Sequence, residues 1–421
     1  MPLRPTIEVI TERPCFAAGR EQTADVLIRV MAPEPAAAAA ARPRLNLSLV
    51  LDRSGSMRGE KLSRALEAAR HCVDQLLPSD RVSVVTFDDE VAVLVPGREA
   101  GDKGEIRDLI AGIRAGGSTA LHEAWVKGGV QVAGGRLDPA AVNRVLLITD
   151  GLANVGETRT ETIVAQAGAL AARGVSTSTI GIGRDFNEDL LIPMGEAGRG
   201  NSWHVAEPAD MDRIFAAEMG GLIAQAGHTV SLGLTPGEGV RVLDVLNDFE
   251  VTHTGRYKLP NLLAGSPIEV IARLRLPAGR SGDRFRALDL RLAWDPQEAG
   301  GGREVLLHEA VVEYAEAERA ESAPADERVA KAVKLLTAAR ARREAMGHLD
   351  RGEVLAARRV VTGSLQSMAD FALRVDDSEV REQVEMLGEL EASLEAGADL
   401  NMARKKMSYQ SHNLRRSRRL K

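Results

Sequence analysis

The chain has 421 residues, about three times the length of a typical domain, which excludes a single small module and predicts two or three domains. Its composition, 44% hydrophobic and 27% charged with a net charge of −6, excludes disordered and collagen-like classes. No apolar run is long enough for a membrane helix, residues 1–10 lack a secretory signal pattern, and two cysteines cannot form a disulfide framework, so we expect a cytoplasmic protein.

The N-terminal segment, residues 1–43, is predicted to contain two short strands and a linker. Thr6 to Ile10 and Val26 to Val30 are rich in β-branched residues that are interrupted by single charges, which is typical of half-buried strands. The alanine run that follows lies between prolines and has neither strand nor helix periodicity. We therefore interpret it as a linker.

Residues 44–225 are predicted to form an α/β domain, because short apolar segments alternate with segments of helical period. This alternation favours a doubly wound, mostly parallel sheet. The predicted strands are 45–51, 82–87, 91–95, 144–149, 175–180 and 203–205. The predicted helices lie near 62–77, 104–113, 121–133, 160–173, 187–196 and 211–224.

Residues 226–318 are predicted to form an antiparallel β-sandwich, since apolar and polar residues alternate strictly in 268–276 and 288–294. The two N-terminal strands have no hairpin partner in the α/β domain. We therefore expect them to join this sandwich, which makes it discontinuous in sequence. Residues 319–403 carry apolar residues at helical spacing and are predicted to form a helical hairpin or small bundle.

The last eighteen residues, 404–421, form a basic tail in this interpretation. They contain eight Lys or Arg and no acid, so the rest of the chain has 46 basic and 60 acidic residues. The body of the protein should therefore repel nucleic acid and anionic lipid. The tail could attract either of them, or could dock on the acidic segment 376–395 of the same chain.

Oxygen-bearing motifs follow predicted strands or precede predicted helices at three places in 44–225. The residues are Asp52, Ser54 and Ser56 in the pattern D-x-S-x-S, then Thr119 after Gly-Gly-Ser, and Asp150 in Thr-Asp-Gly. Each motif by itself is typical of a helix cap or a turn. Their order and strand context favour one shared site, because open α/β sheets bind ligands at the carboxyl ends of their strands. Hydroxyl and carboxylate oxygens suit Mg²⁺, with Mn²⁺ or Ca²⁺ as alternatives.

With these five residues the sequence resembles the von Willebrand factor A family. The metal-ion-dependent adhesion site of that family has the same pattern, and all five of its positions are matched in this sequence. The resemblance covers roughly 44–222. The amino-acid sequences of 52–57, 80–87 and 116–119 are similar to those of a bacterial branch of the family, which is related to inter-α-trypsin inhibitor heavy chains and calcium-activated chloride-channel-like proteins. In this family the serines and threonine touch the metal directly, while the aspartates act largely through water.

The resemblance implies that a carboxylate from a partner's Asp or Glu completes the metal's coordination, because neutral donors leave much of the metal's charge uncompensated. It also implies that the last helix of the domain, 211–224, shifts when an aspartate moves into direct contact with the metal. We keep this switch as a hypothesis for the present chain.

The sequence therefore predicts a metal-dependent protein-interaction module with a scaffold or regulatory role, and not an enzyme. A Mg²⁺-dependent phosphoester hydrolase at the same oxygens is an alternative, although only Asp52 and His122 are available as nucleophile or base. A scaffold that binds nucleic acid or membrane through the basic tail is another. The sequence contains no P-loop, zinc-protease helix or G-x-S-x-G elbow, and no small-molecule substrate is expected.

Overall fold

The structure is a computed structural model that describes residues 4–32, 42–134, 137–151, 153–183, 186–297, 302–395 and 400–417. The described residues fall into two units. One unit takes in the N-terminal strands and the described residues of 226–296 and from 302 onward. The other unit takes in the described residues from 42 to 225 and Gln297.

Sixteen strands in the described residues form three sheets. They are β1 (Thr6–Thr11), β2 (Phe16–Ala17), β3 (Gln22–Met31), β4 (Leu45–Asp52), β5 (Arg81–Phe87), β6 (Val91–Glu99), β7 (Val142–Thr149), β8 (Ser176–Ile182), β9 (Arg199–Val205), β10 (Gln225–Pro236), β11 (Arg241–Val245), β12 (Tyr257–Lys258), β13 (Leu262–Leu263), β14 (Ile268–Leu276), β15 (Arg284–Pro296) and β16 (Glu304–Ala315).

The described α-helices are eleven in number. They are α1 (Glu60–Gln75), α2 (Lys103–Ala111), α3 (Leu121–Ala133), α4 (Thr160–Ala172), α5 (Glu188–Ala197), α6 (Met211–Ile223), α7 (Ala317–Ser322), α8 (Glu327–Asp350), α9 (Val354–Ala372), α10 (Ser378–Glu395) and α11 (Leu400–Arg415). Each helix of the α/β unit, α1 to α6, begins and ends within two residues of its predicted bounds. None of these helices is both long enough and apolar enough to cross a lipid bilayer.

The sheet of the α/β unit has the strand order β6-β5-β4-β7-β8-β9. All neighbours are parallel except β5 and β6. β4 and β7 are buried along their whole length, as central strands are when helices cover both faces. From β4 the chain adds β5 and β6 on one side, and it then adds β7, β8 and β9 on the other side of β4. The carboxyl ends of β4 and β7 therefore form a topological switch point. The predicted doubly wound α/β fold is confirmed.

The two faces of this sheet carry different helices. Helices α1, α2 and α6 share one core with the strands, in which Leu66, Ile110 and Phe215 are buried. Helix α3 packs on the other face so closely that a Cβ at Gly128 would lie 2.5 Å from Val50 Cγ2. Glycine at this position therefore sets how near α3 lies to the central strand.

Two sheets of the other unit pack on a common core and form the predicted sandwich, which is antiparallel except for the pair of β16 with β2. Their orders are β1-β3-β14-β11 and β12-β10-β15-β16-β2, and β13 also pairs with β10. β3 pairs with β14 from Gln22 to Val30, so the N-terminal strands belong to this sandwich. Alternate residues of a strand share one face, and Ile28 of β3 accordingly lies in the core with Val270 of β14 and Leu290 of β15.

The C-terminal helices differ from the prediction at one boundary. Apolar residues of α8, among them Val329 and Leu336, pack on the sandwich. The predicted division between a helical segment at 319–403 and a separate basic tail at 404–421 is wrong, because α11 runs through it. Met407 is fully buried in the helical core together with Ala403, and Tyr409 is nearly fully buried. The high basic content of the segment hid this apolar face from the sequence analysis.

Candidate metal centre

The loop after β4 presents two serine hydroxyls next to the Asp52 carboxylate. Asp52 is buried at the end of the strand, and its Oδ1 accepts a hydrogen bond from the Ser54 amide at 2.8 Å. Ser54 Oγ lies 3.1 Å from Ser56 Oγ. One turn of 3₁₀ helix, Gly55–Met57, contains the fully buried Met57, which anchors the loop in the core. Ser54 is buried and Ser56 is exposed, so the pair opens towards solvent at Ser56.

The neighbouring strand brings Asp150 to the same place. Asp150 directly follows β7, which pairs with β4, and its side chain is fully buried. Its Oδ1 accepts a hydrogen bond from Ser56 Oγ at 2.7 Å, and its Oδ2 accepts one from Lys61 Nζ at 2.5 Å. Thr149 Oγ1 donates a hydrogen bond to Asp52 Oδ2. The two strand ends are thus joined through their functional side chains.

Thr119 completes the group from the segment between α2 and α3. A Cβ placed on Gly151 would lie 3.2 Å from Thr119 Oγ1 and 3.7 Å from Asp52 Oδ2, so both oxygens border the same point. The Thr119 amide donates to Asn154 Oδ1 at 3.2 Å, which ties this segment to the loop after β7. The structure therefore brings together all five residues that the sequence analysis selected.

Asp88 joins the loop after β4 to the segment between α2 and α3. The sequence analysis missed this residue. Its Oδ1 accepts from the Arg53 guanidinium at 3.0 Å, and its Oδ2 accepts from the Gly117 amide at 3.2 Å. A Cβ at Gly116 would lie 1.8 Å from Asp88 Oδ2, so this approach requires glycine. The signal that could have found Asp88 is its place directly after strand β5, the parallel neighbour of β4, whose last residue is Asp52.

Burial controls the electrostatics of the site. It raises the pKa of Asp52 to about 6, and the nearby Asp150 carboxylate acts in the same direction, while hydrogen bonds from Thr149 and Ser54 oppose the rise. Two carboxylates in one buried pocket favour a bound positive charge. Three hydroxyl and two carboxylate groups form an all-oxygen donor set, which fits Mg²⁺. Among the described residues, no cluster of three or more His, Cys, Asp and Glu side chains could hold a metal instead.

His122, the candidate base of the hydrolase alternative, has another partner. Its Nε2 lies 2.6 Å from Gln166 Oε1 on the surface, between α3 and α4. Its ring also lies 6.1 Å from the ring of Trp125. His122 is thus a surface residue of α3 that is hydrogen-bonded to the neighbouring helix α4.

Residues 46–217 match the family model of the von Willebrand factor type A domain. Among curated proteins, the sequence is 30% identical over 172 residues to protein sll0103 of Synechocystis, which covers 41% of this chain and 40% of that protein. It is 29% identical over 174 residues to human inter-alpha-trypsin inhibitor heavy chain H4, which covers 39% of this chain and 18% of the other. The chain therefore spans less than half the length of these relatives.

Two solved structures resemble nearly the whole chain. A von Willebrand factor type A protein from Catenulispora acidiphila matches with a TM-score of 0.70 at 19% identity, over 97% of this chain and 96% of that one. The ArnB paralog VWA2 from Sulfolobus acidocaldarius matches with a TM-score of 0.59 at 17% identity, over 97% and 98% of the two chains. At these identities the likeness shows a common fold.

Proposed function

Because residues 46–217 of this chain form a von Willebrand factor type A domain, we propose that the protein captures a partner protein through a bound divalent metal ion and is not an enzyme. The convergence of Ser54, Ser56 and Thr119 with two buried carboxylates supports this proposal. The sandwich and the C-terminal helices would then have a scaffold or regulatory role.

The residues divide into two roles in this proposal. Ser54, Ser56 and Thr119 would hold Mg²⁺ through their hydroxyls, while Asp52 and Asp150 orient them and balance the charge. When bound, Mg²⁺ supplies positive charge and an open coordination position for a carboxylate from the partner's Asp or Glu. Ser56 is the exposed member of the set, so the partner's side chain would approach from that side.

A groove beside the site supports a protein partner over a small acid. Its volume is about 680 Å³. Its lining combines the apolar side chains of Ala92, Leu94, Leu109 and Ile113 with the charged ones of Glu105, Asp108 and Arg114. Arg53, which stands between Asp52 and Ser54 in the chain, also lines the groove and joins it to the metal loop. We infer that this groove binds an apolar side chain that flanks the partner's acidic residue. A peptide segment can occupy the metal centre and the groove at the same time, whereas a small acid cannot.

The variant Ala92→Glu is expected to weaken partner capture by at least about fivefold, since it puts a charge next to the apolar residues of the groove and adds to the repulsion of an acidic segment. Ala92 is exposed, so the fold and the affinity for Mg²⁺ should not change. Binding titrations of Mg²⁺ and of the captured partner would measure the two affinities. Ala172→Glu, at an exposed position of α4 that does not line the groove, is the matched control. Equal partner affinity of both variants would contradict the role of the groove.

The capture itself can be tested by affinity purification from lysate in Mg²⁺ and in excess EDTA. We expect a partner that is retained with Mg²⁺, is released by EDTA and is bound again when Mg²⁺ is restored. Its acidic residues are then replaced one at a time by the corresponding amides, and one such change should abolish capture. Retention in EDTA, or insensitivity to every acidic replacement, would contradict the proposal.

The placement of α11 argues against a nucleic-acid or membrane role for the basic segment. Arg404 Nε lies 2.6 Å from Asp350 Oδ1, and Lys406 Nζ lies 3.6 Å from Glu389 Oε2. Lys405 is 3% exposed. The basic residues beyond 417 lie outside the described part of the chain. Three of the five described basic residues of 404–417 are thus either paired with an acid of α8 or α10 or buried.

A further inference from the structure

Lys61 lies in the first turn of α1 and is held against the candidate metal centre. Its Nζ donates to Asp150 Oδ2 at 2.5 Å, although the two residues are 89 positions apart in the chain. The end of β8 confines its stem, since a Cβ at Gly183 would lie 3.2 Å from Lys61 Cε. The Asp150 side chain is fully buried and that of Lys61 is 27% exposed, so the ammonium is partly shielded from water.

Asp150 connects this ammonium to the donor set. Its Oδ2 faces Lys61, while its Oδ1 accepts the hydrogen bond from Ser56 Oγ. A metal held by the serines would therefore share the Asp150 carboxylate with a fixed positive charge. Two cations on one carboxylate repel each other, and together they attract an external anion more strongly than either does alone.

We propose that Lys61 is a specificity-determining residue that weakens the retention of the metal and strengthens the capture of the partner's carboxylate. This inference rests on the proposed function, because it takes Ser54, Ser56 and Thr119 as the residues that hold Mg²⁺. The role is distinct from that of an anchor for α1. An anchor would stabilise the fold and leave both affinities unchanged, whereas a charge next to the metal moves them in opposite directions.

The test uses the full chain with Mn²⁺ and acetate as probes. Isothermal titration gives the affinity for Mn²⁺, and the water-proton relaxation of the Mn²⁺-loaded protein gives the affinity for acetate. We expect Lys61→Met to bind Mn²⁺ about tenfold more tightly and acetate about tenfold more weakly than the unchanged chain. Lys61→Gln should behave like Lys61→Met, because it also lacks the charge although it keeps a hydrogen-bond donor. Lys61→Arg keeps the charge and should behave like the unchanged chain.

Lys103→Met is the matched control, since Lys103 Nζ donates to the backbone carbonyl of Asp74. Circular dichroism of each variant checks that it is folded, and Lys61→Gln carries the test if Lys61→Met is not. If the unchanged chain binds no Mn²⁺, the proposed function fails and this inference fails with it. If it binds Mn²⁺ and both affinities of the neutral variants stay unchanged or move in the same direction, only the role of Lys61 is overturned.

Discussion

The double variant Ser54→Ala, Ser56→Ala is expected to lose affinity for Mg²⁺ by more than about 100-fold and to capture no partner. It removes two of the three hydroxyls that would hold the metal, and it leaves two buried carboxylates with fewer hydrogen-bond donors. Ser56 is exposed and Ser54 is a small side chain, so their replacement by alanine removes little packing. The chain should therefore stay folded while its metal-dependent function disappears.

Isothermal titration with Mg²⁺ and affinity purification of the partner would measure this loss. Ser48→Ala, Ser83→Ala is a matched control in the same unit, because both hydroxyls are buried and have no hydrogen-bond partner among the described residues. That control should bind Mg²⁺ like the unchanged chain. Full partner capture by the Ser54, Ser56 variant, with its circular dichroism unchanged, would refute the assignment of the metal centre.

The variant Glu218→Leu is expected to reduce the free energy of unfolding of the α/β unit by about 3–5 kcal/mol. Glu218 lies in α6 and has no solvent exposure. Its carboxylate accepts hydrogen bonds from Ser178 Oγ at 2.6 Å and from Trp203 Nε1 at 2.7 Å, and its Oε1 lies 3.4 Å from Arg144 Nη1. Without Glu218, the buried guanidinium of Arg144 loses its counter-ion.

Burial lowers the pKa of Arg144, and the Glu218 carboxylate works against this fall. The double variant Arg144→Met, Glu218→Leu removes both charges and should recover most of the lost stability. Urea denaturation in a Trp294→Phe background would follow the α/β unit alone, because Trp125 and Trp203 belong to it. If the single and double variants lose equal stability, the ion pair is not the cause of the loss.

Glu218 also bears on the hypothesis that the last helix of the domain shifts. Its contacts join α6 to β7, β8 and β9 at once, through Arg144, Ser178 and Trp203. A displacement of α6 would have to break these buried hydrogen bonds or move the bonded strand residues together with the helix. Partner affinity in the Glu218→Leu variant can therefore show whether the position of α6 matters for capture. The shift itself stays a prediction.

Local patterns were sufficient to predict the α/β fold and the composition of its candidate site. The alternation of apolar strands with helical segments depends on residues close in the chain, so α3 was predicted with the same bounds that it has. Asp52, Ser54 and Ser56 lie within five residues of each other at a strand end. Because neighbouring parallel strands end at one edge of a sheet, Asp150 could be assigned to the same site from sequence.

The amino-acid sequence by itself thus determined which oxygen donors this protein has and at which edge of its sheet they lie. Only the tertiary structure decided their partners. Lys61 meets Asp150 across 89 residues, Asp88 joins two loops, and α11 buries Met407 within a basic segment. The physical reason is that such contacts depend on how distant elements pack, and a single lysine, aspartate or methionine has no local pattern that identifies the side chain it will meet.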